Sequence, residues 1–305
     1  MISETILVTG ATGFLGSHLL SSLSEHFDTS QLIFTANHDD AAKSIQKMDL
    51  IHADGVALFL ADHKPSIIIH AGGYVDLSRD YETALKCIRH NLIGTTNLLE
   101  ALKTTPPSLF IYISTEEVYG TNRLPYKEDD LTNPPSPYAV TKLSAEYMCR
   151  IYSKAFSIPS LVIRVGTMYG PNQPRHRYIM QTIEKAIANE PIPLNSGVKR
   201  RDYVYVSDVV DALMKAITGM KRKGFEIINI GGGVTLTLHD FVNKIVQLTG
   251  SSSALQIGAI PDRISEADEW LMDITKAKTL LGWEPVTDCD TGLRKTIGWY
   301  KKSNQ

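Results

Sequence analysis

The sequence is poor in cysteine, nearly balanced in charge and free of long apolar runs. Its three cysteines, Cys87, Cys149 and Cys289, lie far apart and follow no metal-binding spacing, so we expect neither a disulfide framework nor a metal site. The 31 basic and 33 acidic residues leave a net charge of −2, which offers no positive surface for nucleic acid or an anionic membrane. No run approaches the roughly 18 apolar residues that a membrane-spanning helix needs, and we expect a cytoplasmic protein.

What the chain does have is an alternation of short apolar runs with segments of helical period. The predicted strands are Thr5–Thr9, Gln31–Thr35, Ser66–His70, Leu109–Ser114 and Ser160–Val165. The predicted helices cover residues 14–25, 80–104, 137–157 and 178–190. Because apolar strands that alternate with amphipathic helices build a parallel sheet covered on both faces, the pattern predicts an α/β fold with a doubly wound parallel sheet.

The first predicted strand runs directly into a turn that contains Gly10, Gly13 and Gly16, and then into a predicted helix. Gly10 allows a tight turn, Gly13 lets backbone amides approach phosphate groups, and Gly16 lets the helix lie close to the strand. The N-terminus of the helix adds a partial positive charge. We therefore expect a dinucleotide pyrophosphate to bind at this turn.

Beyond residue 170 the regular alternation ends, and prolines and arginines become frequent. A strand over Tyr203–Val206, a helix from Asp208, a strand over Glu226–Ile230 and a helical tail are still predicted. A tail of this kind on a nucleotide-binding sheet usually covers the substrate. We expect residues 1–166, with 204–230 returning to them, to form the dinucleotide-binding domain, and residues 167–203 and 231–305 to form a smaller substrate-binding lobe.

Five side chains in the middle of the sequence carry reactive groups. Thr115, Glu116 and Glu117 follow a predicted strand, at the sheet edge where open α/β folds bind ligands. Tyr138 and Lys142 lie four residues apart at the start of a predicted helix, and so on one face. An ammonium about 5 Å from the phenol favours the phenolate by roughly 3 kcal/mol, or about 2 pKa units, at an effective dielectric near 20. Tyr138 can then exchange a proton with a substrate oxygen that Thr115 holds by a hydrogen bond.

Together these motifs resemble the extended short-chain dehydrogenase/reductase family of nucleotide-sugar epimerases, dehydratases, decarboxylases and ketoreductases. The resemblance runs the whole length of the chain, through GATGFLG, IHAG, NLIGT, STEEVYG, YAVTK, RVGTMYGP, RDYVYVSDVV, NIG and LGWEP. It implies a Rossmann-type doubly wound parallel sheet with a smaller C-terminal substrate-binding lobe. It also implies that Thr115, Tyr138 and Lys142 are the catalytic set, with Lys142 holding the nicotinamide ribose.

The glycine turn and the resemblance together give the candidate binding residues. For the cofactor they are Gly10, Thr12, Gly13, Phe14, Leu15, Gly16, Thr35, Asn37, Asp49, Leu50, Ala71, Gly72, Asn91, Tyr138 and Lys142. For the substrate, a nucleoside-diphosphate sugar, they are Thr167, Arg201 and Arg263. The two arginines suit the diphosphate because the planar guanidinium forms paired hydrogen bonds. The family also implies a homodimer that forms through the helices at 80–104 and 137–157.

Three positions depart from the family pattern. The second predicted strand ends at Thr35, and neither an acid that would bind the adenosine ribose of NAD nor an arginine that would bind a 2′-phosphate follows it directly. We therefore expect NAD or NADP, with NADP slightly favoured. The connection from Thr35 to Asp49 is short, as in the 4-ketoreductases, and Thr167 replaces an asparagine that is common in the family.

The pair Glu116-Glu117 leaves the reaction open. The 4,6-dehydratases carry Asp-Glu after the active-site threonine, one acid to protonate the leaving water and one to remove the proton at carbon 5, and the decarboxylases carry Ser-Glu. Adjacent residues on an extended strand point to opposite sides, so a shared task requires a turn there. We favour a nucleotide-sugar 4-ketoreductase, with a 4-epimerase similar to UDP-glucose 4-epimerase as the alternative. A 4,6-dehydratase, a decarboxylase and a catalytically inactive NAD(P)-binding scaffold follow, although such scaffolds normally lack the tyrosine or the lysine.

Overall fold

The computed structural model describes residues 4–220 and 222–303. Its strands are β1 (Ile6–Thr9), β2 (Leu32–Ala36), β3 (Ile45–Lys47), β4 (Ile67–His70), β5 (Leu109–Thr115), β6 (Ser160–Val165), β7 (Thr167–Tyr169), β8 (Ile192–Pro193), β9 (Arg200–Tyr205), β10 (Phe225–Ile230), β11 (Thr235–Thr237) and β12 (Leu255–Gln256). Its α-helices are α1 (Phe14–His26), α2 (Ala53–His63), α3 (Tyr81–Cys87), α4 (Gly94–Ala101), α5 (Pro137–Phe156), α6 (Tyr178–Ile187), α7 (Val206–Gly219), α8 (Leu238–Thr249), α9 (Thr275–Leu281) and α10 (Cys289–Ser303). A π-helical turn over Ile88–Ile93 joins α3 to α4.

The main sheet has seven parallel strands in the order β10-β6-β5-β4-β1-β2-β3. The chain fills one side of β1 with β2 and β3 and then crosses to β4 on the other side, so the strand order reverses between β1 and β4. The apolar runs that build these central strands are buried over their full length, as strands covered on both faces must be. The predicted Rossmann-type doubly wound sheet is confirmed, and its reversal point is where such sheets bind ligands.

The chain divides into two compact units. The first contains the residues through Val118 together with 132–164 and 213–228, and the second contains 119–131, 165–212 and the residues from Asn229 onward. In the first unit, side chains from the sheet pack against α2, α4 and α5; the buried members include Leu7, Ile68, Leu98, Phe110 and Val162. In the second unit, the antiparallel pair β9 and β11 and the parallel pair β7 and β9 border an aromatic core in which Tyr203 stacks on Phe241 with ring centroids 3.8 Å apart.

Several element boundaries differ from the sequence prediction. Strand β2 is shifted by one residue, from Gln31–Thr35 to Leu32–Ala36. The helix predicted over 80–104 is broken by the π-helical turn, and α7 begins at Val206, inside the predicted strand Tyr203–Val206. Within residues 4–220 and 222–303, no helix is long and apolar enough to cross a bilayer, and no group of three or more metal-ligating side chains converges.

Candidate active site

The glycine turn has a backbone that other residues would not fit. Gly10 has φ +71°, and a Cβ there would lie 2.6 Å from Cα of Gly72. A Cβ on Gly16 would lie 2.1 Å from the carbonyl oxygen of Gly10, so α1 could not approach β1 with any side chain at that position. Gly13 is the N-cap residue of α1 and provides no side-chain capping bond, which leaves the first amides of the helix for an external acceptor. These residues fit the pyrophosphate of a dinucleotide.

Residues from two other segments lie near this turn. Leu50 packs against the loop that follows β4. Its Cδ1 atom lies 3.2 Å from the position that a Cβ on Gly72 would take. Asp49 lies beside it and accepts the amide of Ile51 at 3.2 Å through Oδ1. Ala71 and Gly72 follow β4 directly and are half-buried, whereas Thr12 in the glycine turn is exposed. The structure therefore brings Leu50, and Ala71 and Gly72 after β4, close to the glycine turn.

Thr35, one of the predicted cofactor residues, is buried inside the sheet. Its side chain is 1% exposed and its hydroxyl donates to the carbonyl oxygen of Val8 at 3.4 Å. Its own carbonyl accepts the amide of Ala11 at 3.0 Å. Because β2 extends one residue further than predicted, Ala36 is also buried, and Asn37 is the first exposed side chain after the strand. The first side chain after β2 that reaches solvent is therefore that of Asn37 and not that of Thr35.

Strand β5 delivers the threonine and the two glutamates in a compact turn. The strand ends at Thr115, and residues Glu116–Tyr119 form a 3-10 turn. The hydroxyl of Thr115 accepts the amide of Glu117 at 3.2 Å, which stabilises the turn and leaves the hydroxyl proton to donate. Glu116 and Glu117 are 1% and 4% exposed. The turn that a shared task of the two acids requires is therefore present.

Helix α5 carries the tyrosine and the lysine because its sequence starts a helix at the right residue. Ser136 caps the helix by accepting the amide of Ala139 at 3.1 Å, and Pro137 occupies the first helical position. Tyr138 and Lys142 are both buried, one turn apart. The ammonium nitrogen of Lys142 lies 4.3 Å from the ring centroid of Tyr112, which is on β5. The helix thus places both groups against the strand that ends in Thr115.

A buried ion pair lies one turn further along α5. Glu146 and Arg164, both 3% exposed, approach to 2.7 Å, and the hydroxyl of Ser114 also donates to Glu146 at 2.5 Å. Burial lowers the pKa of Lys142 to about 8, and the negative charge of Glu146 opposes this effect. Lys142 is therefore a cation at neutral pH that loses its proton more easily than an ordinary lysine.

The side-chain amide of Asn91 is hydrogen-bonded to the loop at Tyr74 and to helix α5 at Thr141. It lies in the π-helical turn and is 1% exposed. Its Oδ1 accepts the amide of Tyr74 at 2.7 Å, and its Nδ2 donates to the carbonyl of Tyr74 at 3.0 Å and to the hydroxyl of Thr141 at 3.2 Å. A Cβ on Gly73 would lie 2.9 Å from Oδ1 of Asn91 and 4.0 Å from Nζ of Lys142. Gly73 thus lies directly against the side chain of Asn91 and close to the amine of Lys142.

In the second unit, three cationic side chains surround one carboxylate. Glu266 pairs with Arg201 at 2.9 Å, with Arg263 at 3.3 Å and with Lys199 at 3.6 Å. Arg201 also lies over the ring of Trp270, 4.2 Å from its centroid, and is nearly buried, whereas the side chain of Arg263 is 51% exposed. The two predicted diphosphate residues are therefore together. Thr167 opens β7, opposite Tyr203 of β9.

Sequence reasoning assigned no role to four of these residues: Lys199, Glu266, Glu146 and Arg164. A signal existed for Arg164, because a charged residue inside the apolar run Ser160–Val165 must have a buried partner. Glu146 is a natural partner for Arg164, because it lies four residues after Lys142 and therefore on the same buried helix face. Glu266 and Lys199 have no comparable signal, since they lie far apart in the sequence.

Comparison with known proteins agrees with this geometry. The model of the NAD dependent epimerase/dehydratase family matches residues 6–231. The dTDP-glucose 4,6-dehydratase 1 of Escherichia coli K12 is 29% identical, over 97% of this chain and 92% of the relative. The low-salt glycan biosynthesis protein Agl12 of Haloferax volcanii is 30% identical, over 97% and 98%.

The fold is also similar to solved structures. UDP-glucuronic acid 4-epimerase from Bacillus cereus, in complex with UDP-glucuronic acid and NAD, superposes with a TM-score of 0.88 at 28% identity, covering 98% of this chain and 99% of that one. UDP-glucose 4-epimerase from Thermotoga maritima, with UDP-glucose, gives 0.90 at 25% identity, covering 99% and 100%. This chain is therefore an enzyme that belongs to the NAD dependent epimerase/dehydratase family, within the extended short-chain dehydrogenases/reductases.

Proposed function

We propose that the enzyme moves a hydride between a nicotinamide dinucleotide and carbon 4 of a nucleoside-diphosphate hexose. The observation that carries the proposal is the position of Tyr138 and Lys142, which are both buried and lie one turn apart on α5 beside β5. They belong to the same unit as the glycine turn. Buried groups of this kind are held in a fixed geometry and protected from water, as proton transfer requires.

In this reaction Tyr138 accepts the proton of the 4-hydroxyl as the carbon is oxidised and returns a proton on reduction. The Lys142 ammonium favours the phenolate and binds the nicotinamide ribose. The hydroxyl of Thr115 donates a hydrogen bond to the reacting oxygen, which holds it in place. The bound nicotinamide supplies the hydride acceptor and donor.

The turn at Glu116-Glu117 favours a 4,6-dehydratase over the ketoreductase expected from the sequence. Once carbon 4 is a ketone, one carboxylate removes the proton from carbon 5 and the other, as an acid, protonates the 6-hydroxyl, which leaves as water. The hydride then adds to carbon 6 and a proton to carbon 5, so the reaction has no net redox change. Two buried carboxylates in one tight turn suit this paired task, and the similarity to the Escherichia coli dehydratase supports it. A 4-epimerase is the second candidate, because the similar solved structures include 4-epimerases.

One assay separates these reactions. The purified enzyme is incubated with dTDP-glucose, UDP-glucose, UDP-glucuronic acid or a nucleoside-diphosphate 4-keto-6-deoxyhexose, with and without NADPH or NADH, and the products are followed by mass spectrometry and NMR. A dehydratase releases water without consuming reduced cofactor, and an epimerase inverts carbon 4 at constant mass. Stoichiometric consumption of NADPH with a 4-keto sugar would instead support the ketoreductase. Equal turnover by Tyr138→Phe would refute all three.

For the cofactor, we propose that NAD and NADP both bind, with affinities within about tenfold of each other. The solved relatives contain NAD. The exposed residue after β2 is the neutral Asn37, which neither repels nor attracts a 2′-phosphate. Dissociation constants for the two dinucleotides test this directly.

We also propose a homodimer formed by the helical segments around α3, α4 and α5. Apolar side chains stay exposed on these segments: Tyr81, Ile88, Ile93, Val140, Tyr147 and Ile151. A group of this kind is typical of a protein interface. Light scattering of the wild type and of Tyr147→Glu measures the mass of the assembly, and a monomeric wild type would contradict the proposal.

A further inference from the structure

Buried polar side chains connect the ends of β1 and β4 to the helical segment that follows. Thr9, His70, Thr95 and Asn91 are each 0% or 1% exposed, and the proposed mechanism uses none of them as a proton donor or acceptor. Thr9 and His70 are neighbours in the sheet, with 2.7 Å between the hydroxyl and Nδ1. On the other side of the ring, Nε2 lies 3.0 Å from the hydroxyl of Thr95.

The carbonyl oxygen of Asn91 sets the direction of the hydrogen bonds in this network of side chains. The Thr95 hydroxyl lies 2.5 Å from the carbonyl oxygen of Asn91, and because a carbonyl only accepts, Thr95 must donate there. His70 must then donate to Thr95 from Nε2. The amide of Gly72 donates to the Thr9 hydroxyl at 3.1 Å, and that hydroxyl in turn donates to Nδ1 of His70. Nε2 of His70 therefore carries a proton, and in the neutral ring Nδ1 accepts from Thr9.

The two ends of this hydrogen-bonded network reach the glycine turn and the catalytic helix α5. At one end is Gly72, whose Cα would lie 2.6 Å from a Cβ on Gly10, so the position of Gly72 sets the space around the glycine turn. At the other end, Asn91 donates to the hydroxyl of Thr141, which donates to the carbonyl of Tyr138 at 2.9 Å. A continuous set of side chains thus joins the dinucleotide turn to the first turn of the catalytic helix.

We propose that His70 is a positioning residue that, as the neutral Nε2–H tautomer, holds the Gly72 backbone against the glycine turn and thereby sets dinucleotide affinity. This inference rests on the proposed dinucleotide site. A charged imidazolium would donate from both ring nitrogens, so the Thr9 hydroxyl would have to accept from His70 and from the Gly72 amide and could no longer donate to the ring. Burial and the nearby positive charge of Lys142 lower the pKa of His70 to about 3, in agreement with the geometry. The rings of Phe110 and Tyr112, which face His70 from β5, carry no charge at neutral pH.

The first test measures binding of NAD and NADP by calorimetry to the wild type and to three variants. Thr9→Val keeps the shape but removes the hydroxyl between Gly72 and His70, and we expect affinity to fall about tenfold; Thr9→Ser restores it. Thr83→Val is the matched control, because it removes another buried threonine hydroxyl of this unit, one that donates to Asp80. We expect it to lower the melting temperature while affinity stays within about twofold.

A role in stability alone would lower the melting temperatures of Thr9→Val and Thr83→Val alike and leave affinity unchanged. If the wild type binds a dinucleotide and Thr9→Val binds it equally well, the inference is overturned while the proposed function stands. A wild type that binds neither dinucleotide would refute the proposed function and the inference with it.

The second test needs no dinucleotide. Long-range proton–nitrogen NMR of histidine-labelled protein reports which ring nitrogen carries the proton, and the His70→Gln spectrum assigns the signal by its loss. We expect a protonated Nε2, a bare Nδ1 and no titration between pH 5 and pH 8. A proton on Nδ1, or a titration midpoint near that of an exposed histidine, would overturn the inference.

Discussion

The ion pair between Glu146 and Arg164 gives the most demanding prediction for the catalytic helix. Both side chains are 3% exposed, and the guanidinium uses Nε and Nη2 on the two carboxylate oxygens at 2.7 to 3.2 Å. Glu146→Gln keeps the shape of the side chain but removes the carboxylate charge that faces the buried guanidinium of Arg164. Removing one member of a buried pair costs about 3–5 kcal/mol of folding free energy. At roughly 2 °C per kcal/mol, the melting temperature should fall by roughly 6–10 °C.

Thermal unfolding followed by circular dichroism measures this change. Glu100→Gln is the matched control, because the Glu100 carboxylate is half-exposed and pairs with Lys103 at the surface, so its melting temperature should stay close to that of the wild type. Replacing both Glu146 and Arg164 by methionine should recover part of the loss, since no charge then stays buried. A melting temperature for Glu146→Gln within about 2 °C of the wild type would refute the reasoning.

The same substitution should also move the pH dependence of the reaction. The charge of Glu146 holds up the pKa of Lys142 against the effect of burial, so removing that charge lowers the pKa further below about 8. Because the ammonium is the active form, kcat/KM declines as pH rises through this pKa. The decline should therefore begin at lower pH in Glu146→Gln than in the wild type, and identical profiles would show that the two groups do not interact.

Further outcomes follow from the site. Tyr138→Phe should lower kcat by a factor on the order of 100 or more with little change in dinucleotide affinity, because it removes the proton donor and little volume; near-normal turnover would contradict its role. In the wild type, kcat/KM should be highest below about pH 8 and fall above it as Lys142 loses its proton, and Lys142→Met should in addition weaken dinucleotide binding, as titration would reveal. Asn37→Asp should weaken NADP at least about tenfold relative to NAD, because a carboxylate repels the 2′-phosphate and accepts ribose hydroxyls. Thr35→Asp buries the new acid instead, so it should lower the melting temperature without that shift, and the reverse result would place Thr35 at the ribose.

Most strands of the central sheet could be predicted because each is a local apolar run, such as Ile67–His70. Strand β3 could not, because it has three residues, of which only Ile45 is buried. The start of α5 was predictable from Ser136-Pro137, which caps the helix by local contacts alone.

The candidate site was predictable where a residue type alone sets the geometry, as at Gly10, Gly16, Tyr138 and Lys142. It was not predictable at Thr35, because a shift of one residue at the end of a strand decides whether a side chain is buried or reaches the surface. Asn91 shows a second limit. Its position in the family motif indicated a place near the cofactor, but its partners Tyr74 and Thr141 come from other segments, and only tertiary structure brings them together.

The carboxylate of Glu266 has a consequence for how a ligand enters the second unit. With Lys199, Arg201 and Arg263 around it, the group carries three positive charges and one negative charge, a surplus of two. The carboxylate holds the three cations in an ordered arrangement. For the proposed nucleoside-diphosphate substrate, less side-chain entropy would then remain to be lost on binding. The surplus charge attracts an anionic ligand from a distance, and dissolved salt screens that attraction. Affinity for a diphosphate should thus depend on ionic strength, whereas the rate of the chemical step should not.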